Sequence, residues 1–270
     1  MAGLESALAH LGSIEALAAR ATPVHRLDPR AKLLTTGAFL ATVVSFGPRQ
    51  VIPLLPLALY PVALGALGDV PARPVLARLA LASPFVLLVA IWNPLLDRAP
   101  ALAIGGLVVS GGWLSFASIV LRFCLTLGAA LVLVAVTGFD ATCAALGRLG
   151  APRILVEQLL LLHRYLFVLV DEAARLLRAH ALRAPEARRP GLRVAGSMLG
   201  QLLLRTLARA QRIHRAMLCR GFDGVLRRRG ALRLRAVDLA FTGGWCAFFA
   251  LARAVDLPRL LGGLALGAGR

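Results

Sequence analysis

The sequence predicts an all-α, polytopic membrane protein with about five transmembrane helices plus long cytoplasmic amphipathic helices. Hydrophobic residues make up 59% of the 270 residues, and the mean hydropathy is +0.77, far above that of a soluble domain of this length. The formal net charge is nevertheless +18, and an arginine at the bilayer centre costs about 2.5–3.5 kcal/mol. The charge must therefore lie outside the hydrocarbon, and most of it falls between Arg148 and Arg235.

The first segment of the chain, residues 4–19, is amphipathic and also carries Glu5 and Glu15. Its pattern predicts a helix that lies on the membrane or on the protein. It lacks the basic start and the uninterrupted apolar core of a signal peptide. The apolar positions that recur close to one helical face are Leu4, Leu8, Leu11, Ile14 and Leu17.

The first two spans follow. Asp28 is a good N-cap, and Pro29 suits the first helical position, where its missing N–H is no loss. The apolar run from there to Phe46 predicts the first span, and Gly47-Pro48 predicts a turn. Residues 51–67 predict a second span that is kinked or partly irregular, because three prolines interrupt it. These prolines are Pro53, Pro56 and Pro61.

The third and fourth spans are predicted at 79–96 and 105–136. A polar connection over 69–78 precedes the third span, and Asn93-Pro94 is a possible early end to it. The fourth span contains Arg122. An arginine inside the membrane is a functional or pairing candidate; a buried partner or snorkelling near one end is favoured over transport chemistry.

Residues 154–170 are apolar enough to resemble a further span, but Glu157, His163 and Arg164 lie among them. With four earlier spans and a cytoplasmic N-terminus, the segment after Val136 emerges on the cytoplasmic side. If residues 154–170 crossed, the arginines of 171–235 would be moved outside, against the positive-inside tendency. We therefore interpret the segment as a long helix that runs under the bilayer.

A second amphipathic helix follows, in which Arg205, Arg209, Arg212 and Arg215 lie off the apolar face. A solvated or headgroup-facing stripe is favoured over partner contacts for these four. Arg220 falls at the helix end, where Gly221 can adopt the left-handed cap conformation, although a final-turn arginine also complements the helix dipole. The apolar positions are Leu199, Leu202, Leu203, Leu207, Ala210, Ile213 and Met217.

Residues 236–251 predict the last span, and a second apolar stretch runs past Pro258 to about Leu266. Three regions result: the N-terminal helix with four spans over 1–137, a cytoplasmic basic coupling-helix region over 138–235, and a C-terminal transmembrane helix within 236–270.

Several activities are excluded by the residues present. Lys32 is the only lysine, so a Walker A loop cannot exist. The cysteines and histidines show no metal-ligand spacing, and no nucleic-acid motif accompanies the charge. Asp171 and Glu172, adjacent on a helix, point in different directions, and Glu172 is expected to pair with Arg175 one turn away. We find no active site and predict a non-catalytic subunit.

Three segments together resemble one family. Residues 27–33, Leu-Asp-Pro-Arg-Ala-Lys-Leu, are similar to the N-terminal signature of the transmembrane T component of energy-coupling factor (ECF) transporters. Residues 147–152 with His163-Arg164-Tyr165 and Asp171-Glu172 resemble its middle, and residues 216–224 resemble the second of its two Ala-Arg-Gly coupling motifs. The likeness is greatest to the CbiQ family of cobalt and nickel transporters. The matching signature residues are Asp28, Pro29, Lys32, Arg164, Tyr165 and Glu172.

The resemblance implies a coupling subunit of a cobalt or nickel importer in the cell (inner) membrane. Two copies of a cytosolic ABC ATPase would bind ATP and Mg²⁺, and each would accept one coupling helix. The contacts with the ATPase subunits would be formed by Arg183 and by Arg220 with Gly221. Cys219 stands where alanine is usual, and at the first motif only Arg183 matches. A separate membrane subunit would bind the metal, so no cofactor is expected in this chain.

Two alternatives remain open at this point. One is a T component that serves a vitamin transporter. The other is a membrane-embedded enzyme that acts at the lipid headgroups.

Overall fold

A computed structural model describes residues 20, 22–48, 50–96, 100–104, 107–184, 191–224 and 234–254. Over these residues the chain is helical apart from one short hairpin, which confirms the predicted helical class. The predicted N-terminal helix over 4–19 and the apolar stretch around Pro258 lie outside the described residues. The chain divides into two compact units: a bundle unit, whose described residues lie in 20–138 and 234–254, and an arm unit, described over 139–184 and 191–224.

The bundle unit contains most of the apolar helices. Its helices are α1 Pro29–Ser45, a 3₁₀ helix Ile52–Ala58, α2 Leu59–Leu67, α3 Ala72–Ala90, α4 Trp92–Leu96, α5 Gly111–Thr137 and, after the arm unit, α9 Ala236–Ala254. The hairpin joins α4 to α5 and consists of β1 Pro100–Ile104 and β2 Leu107–Ser110, which pair antiparallel. The arm unit consists of α6 Phe139–Arg148, α7 Arg153–Arg183 and α8 Leu192–Cys219.

Helix α1 begins as the sequence predicts. The Asp28 carboxylate accepts a hydrogen bond from the Arg30 backbone N–H at 2.9 Å, and Pro29 occupies the first turn. Polar residues of α1 turn inward: the Thr36 hydroxyl bonds the Tyr60 hydroxyl at 2.7 Å, and Lys32 is 1% exposed. Polar groups that face the inside of a helical bundle avoid contact with lipid.

The last helix packs beside the first in the same direction. The Asp238 carboxylate of α9 accepts a hydrogen bond from the Asp28 N–H at the start of α1, at 2.8 Å. At the other end Arg253 donates to the Ser45 hydroxyl at 3.2 Å. Because the N-terminal ends of the two helices contact each other, and so do their C-terminal ends, α1 and α9 are parallel.

An aromatic core fixes this pair to the rest of the bundle. Phe39, Tyr60, Trp245 and Phe249 have ring centroids 4.9–5.9 Å apart in the contacting pairs, and such tilted or edge-to-face pairs add about 0.5–1.5 kcal/mol beyond area burial. The second predicted span is irregular as expected, because the prolines leave a 3₁₀ helix before α2.

Two predicted boundaries are wrong. The predicted polar connection over 69–78 is helical from Ala72 onward, because arginine is a good helix former and polarity alone does not end a helix. The fourth span begins at Gly111 rather than Gly105, since β1 and β2 occupy the preceding residues. Helix α3 ends at Ala90 and Asn93-Pro94 fall in the separate short helix α4, while the apolar segment as a whole runs from Ala72 to Leu95.

Arg122, inside α5, has a buried partner. Its guanidinium donates to the Phe46 carbonyl at 2.9 Å and also to the Gly47 carbonyl. These carbonyls follow the last turn of α1, where no helical donor is available. The pairing alternative for this arginine is therefore confirmed.

Among the described residues, two segments are long and apolar enough to cross a membrane, judged by length and composition: Ala72–Leu95 and Gly111–Thr137. The segment Ile52–Leu67 is apolar but shorter.

Candidate functional site

The arm unit starts from a small interface between α6 and α7. The His163 imidazole lies 3.3 Å from the Asp140 carboxylate and stacks on Phe139 with centroids 4.6 Å apart. A Cβ on Gly147 would come within 3.3 Å of the Val156 side chain, so glycine allows α6 and α7 to pack closely. These contacts anchor the first half of α7.

The two long helices α7 and α8 cross at Glu172. Its carboxylate accepts from Arg205 of α8 at 2.8 Å and from Arg175, one turn along α7, at 2.9 and 3.2 Å. A third guanidinium, that of Arg209, lies 3.9 Å away. The predicted pairing of Glu172 with Arg175 is confirmed. Arg205 also bonds Glu172 and so ties the arms together, a contact that was not predicted, while its side chain remains 57% exposed.

The arginines hold the Glu172 carboxylate in its ionised form. Hydrogen bonds from Arg205 first, and then from Arg175, lower the pKa of Glu172 below its ordinary value, because donors to a carboxylate favour its charged state. A folded-state pKa that is depressed contributes stability above the ordinary pKa, and this contribution is lost as pH falls through the lowered value. The Glu172 carboxylate is therefore ionised at neutral pH.

A groove of about 570 Å³ opens between the first half of α7 and the second half of α8. Apolar side chains that face each other across it include Leu161 and Tyr165 from α7 and Ile213 and Met217 from α8. No residue of α8 is fully buried. Tyr165, one of the family-signature residues, lies in this groove, whereas its neighbour Arg164 is exposed.

Arg220 stands at a sharply defined helix end. The Phe222 N–H donates to the Met217 carbonyl at 3.0 Å and the Gly221 N–H to the Leu218 carbonyl at 2.9 Å. This pair of bonds is a Schellman motif, which requires a left-handed residue after the cap. Gly221 supplies it with φ of 76°, and the predicted glycine cap is confirmed. The Arg220 side chain is exposed.

Arg183 is the last residue of α7 and is also exposed. From the crossing at Glu172 and Arg205, a rise of 1.5 Å per residue places Arg183 about 16 Å along α7 and Arg220 about 22 Å along α8. The groove joins the first half of α7 to the second half of α8, so the two ends point away from each other. The arginines are then more than about 25 Å apart.

The other signature residues lie in the bundle unit and have structural partners. Asp28 and Pro29 begin α1, and Lys32 interacts electrostatically with Asp28 and with Asp238. Asp238, which is 2% exposed, accepts two backbone hydrogen bonds, from Asp28 and from Arg235, each at 2.8 Å. This role of Asp238 was not predicted from the sequence, although an acidic residue at the start of an apolar span is itself a signal.

The comparisons with known proteins agree on one family. The family described as CbiQ, cobalt transport protein, matches residues 20–232. The cobalt transport protein CbiQ of Salmonella typhimurium is 34% identical over 127 residues, which are 44% of this chain and 56% of that protein. This alignment therefore spans only about half the length of that curated relative.

Proposed function

The chain belongs to the CbiQ family of cobalt transport proteins, and we propose that it is the transmembrane coupling subunit of an ECF-type importer for cobalt or nickel ions. In this role it transmits the ATP-driven motion of two cytosolic ATPase subunits to a separate membrane subunit that binds the metal. Membership of a transport family fits a subunit without its own catalytic site.

The observation that carries the proposal is the geometry of the two arms. Helices α7 and α8 cross at one ion-paired point, and each ends in an exposed arginine, Arg183 or Arg220. A separation of more than about 25 Å places these ends too far apart for a single small site. It suits two docking sites, one on each of two subunits.

Arginine suits such a contact because its planar fork binds a carboxylate through two parallel hydrogen bonds. The Schellman motif fixes the backbone from which the Arg220 side chain starts. Closure of the two ATPase subunits would move the two arm ends relative to each other, while the Glu172 cluster holds the crossing. Rigid helices of this length transmit displacement at their ends to the point where they are joined.

The parallel packing of α1 and α9 supports the proposed topology. Two parallel transmembrane helices are separated by an odd number of crossings. The segments 52–67, 72–96 and 111–137 supply three, for five spans in total. A further crossing by residues 154–170 would make α1 and α9 antiparallel, contrary to the contacts of Asp28 with Asp238 and of Ser45 with Arg253.

Five spans put the arm unit on the same side as the start of α1. The arm unit carries much of the positive charge of the chain. The positive-inside tendency therefore makes that side the cytoplasm, which is where ATP and its ATPases are found.

The test is alanine substitution of the two terminal arginines in the assembled transporter. Arg220→Ala and Arg183→Ala should each leave membrane insertion intact and abolish metal uptake or ATPase association. Arg212→Ala is the matched control, because it removes an exposed arginine of α8 that lies two turns before the helix end. Uptake at the control level in Arg220→Ala, with the partner subunits present, would contradict the docking role.

The double variant adds a second criterion. Because both arms must be engaged for coupling, Arg183→Ala with Arg220→Ala should be no worse than the stricter single variant. Losses that multiply would indicate two independent contributions rather than one coupled device.

A further inference from the structure

The groove between α7 and α8 has the dimensions of a site for one hydrocarbon chain. Its volume of about 570 Å³ lies within the range of roughly 300–1,000 Å³ that is usual for small-molecule sites. It runs along α7 from Ile154 to Leu169, about 22 Å at 1.5 Å per residue. One leaflet of a bilayer contributes half of a hydrocarbon core about 30 Å thick, so an acyl chain extends about 15 Å. The groove is therefore long enough to hold one acyl chain lengthwise.

The charged groups of the groove lie at its two ends. Among the described residues that line it, Arg209 stands next to the helix crossing and Glu157 near the start of α7, with His214 between them. Glu157 and the crossing residue Glu172 are about 22 Å apart along α7. An elongated ligand with one anionic end would be repelled at Glu157 and attracted at Arg209. The groove therefore accepts such a ligand in a single orientation.

The end of the groove at the crossing carries positive charge in excess. Three guanidinium groups, those of Arg175, Arg205 and Arg209, surround the single carboxylate of Glu172. Arg175 and Arg205 donate hydrogen bonds to it, whereas Arg209 stays 3.9 Å away and its side chain is 42% exposed. A guanidinium group binds a phosphate through two parallel hydrogen bonds. Arg209 can therefore bind a phosphate without breaking the hydrogen bonds of the crossing.

We propose that the groove binds a phospholipid with an anionic headgroup, whose phosphate contacts Arg209 and one of whose acyl chains lies along the apolar wall. The rim of the groove exposes large apolar side chains: Ile154 is 75% exposed, Leu162 60% and Leu207 52%. The second acyl chain covers this rim, which a single-chain fatty acid would leave in water. Basic pockets between the helices of membrane proteins bind acidic headgroups, and the bilayer supplies such lipids to a chain with apolar helices of spanning length. This inference does not depend on the docking of ATPase subunits.

The experiment is photo-cross-linking of the full chain in vesicles of phosphatidylcholine. The probe is a trace of phosphatidylglycerol that carries a diazirine in one acyl chain, and the matched control is phosphatidylcholine with the same diazirine. We expect the anionic probe to label peptides that contain residues 158–169 or 206–217 more strongly than the control does, and unlabelled phosphatidylglycerol to compete. Equal labelling of these peptides by the two probes, or labels confined to other segments, would overturn the proposal.

Single substitutions on α8 separate the headgroup site from general attraction to a basic surface. Arg209→Ala should lower the labelling of these peptides by the anionic probe about fivefold, which is the effect of one arginine beside an anionic lipid. Arg212→Ala is the matched control, because Arg212 is also exposed on α8 but does not line the groove. It should leave the labelling unchanged. Equal losses in the two variants would show that no particular arginine holds the headgroup, contrary to the proposal.

A second pair of variants tests the apolar part of the site. Ala210→Trp places an indole in the groove and should abolish the labelling of the same peptides, whereas Ala208→Trp, at an exposed position that does not line the groove, should not. A protein segment in the groove, from this chain or from a partner, would exclude the lipid and leave these peptides unlabelled in the wild type, which refutes the proposal. The wild-type comparison of the two probes decides the matter even if a variant fails to insert.

Discussion

Asp238→Ala should loosen the junction between the first and last helices of the bundle unit. The Asp238 carboxylate is buried and accepts the backbone N–H groups of Asp28 and Arg235, each at 2.8 Å. Alanine leaves both donors buried without an acceptor. It also leaves the buried ammonium group of Lys32 with one carboxylate fewer.

The magnitude follows from these contacts. A hydrogen bond to a charged group contributes about 1.5–3 kcal/mol, and the Asp238 carboxylate accepts two of them. We take about 3–5 kcal/mol as the loss of free energy of unfolding when both are removed. At about 2–4 °C for each kcal/mol, the Tm should fall by roughly 10 °C.

The assay is thermal unfolding of the purified chain in detergent, followed by size-exclusion chromatography. Asp238→Asn keeps one acceptor oxygen and should lie between the wild type and Asp238→Ala. Leu239→Ala is the matched control, because the next side chain along the helix is 66% exposed and its loss should shift the Tm little.

A double variant tests how much of the stability loss in Asp238→Ala is electrostatic. Lys32→Met added to Asp238→Ala removes one charge of each sign, so the combined loss should be smaller than the sum of the single losses. Equal Tm values for Asp238→Ala and Leu239→Ala, or strict additivity in the cycle, would refute the reasoning.

Three other predictions follow from single contacts. Glu172→Gln should loosen the arm crossing at neutral pH, because the amide keeps one acceptor oxygen for Arg205 and Arg175 but loses the negative charge. Acidification should do the same in the wild type as pH falls through the lowered pKa of Glu172, because protonation removes that charge. Spin-label distances between positions 158 and 214 measure both effects, and a distance that is unchanged by the variant and by acid contradicts the role. Arg122→Ala should cost about 1–3 kcal/mol, since the Phe46 and Gly47 carbonyls lose their donor; a Tm equal to wild type in the same assay would argue against it. Gly221→Ala should cost about 1–2 kcal/mol at φ of 76° and weaken ATPase association. Gly221→Asn tolerates the left-handed conformation and should retain more of the ATPase association in a pull-down. Equal association of the two variants would contradict this.

Local chemistry accounts for what the sequence analysis predicted correctly. Asp28 with Pro29 begins α1, and Gly221 ends α8 through a left-handed conformation. Glu172 and Arg175 are three residues apart, within one helical turn. Each of these features involves residues close in the chain, so residue type and spacing are enough to predict it.

The boundary errors also have a local cause. Hydropathy marks where a chain is apolar, not where it is helical, so residues 72–78 were assigned to a connection although Arg73 and Arg78 favour helix. The residues of β2 are as apolar as a span and were assigned to the fourth one. A short apolar run does not distinguish strand from helix by periodicity.

By itself, the sequence determined the membrane-protein class, the caps of the helices, the basic character of the arms and the family. The tertiary structure alone decided which polar groups meet: the Asp28 N–H and the Asp238 carboxylate, 210 residues apart, the Arg122 guanidinium and the Phe46 carbonyl, 76 apart, and Arg205 and Glu172, 33 apart. The physical reason is that hydrogen bonds and ion pairs act over a few ångströms in space and do not depend on distance along the chain. The parallel pairing of α1 with α9 and the crossing of α7 with α8 therefore had to be seen in three dimensions.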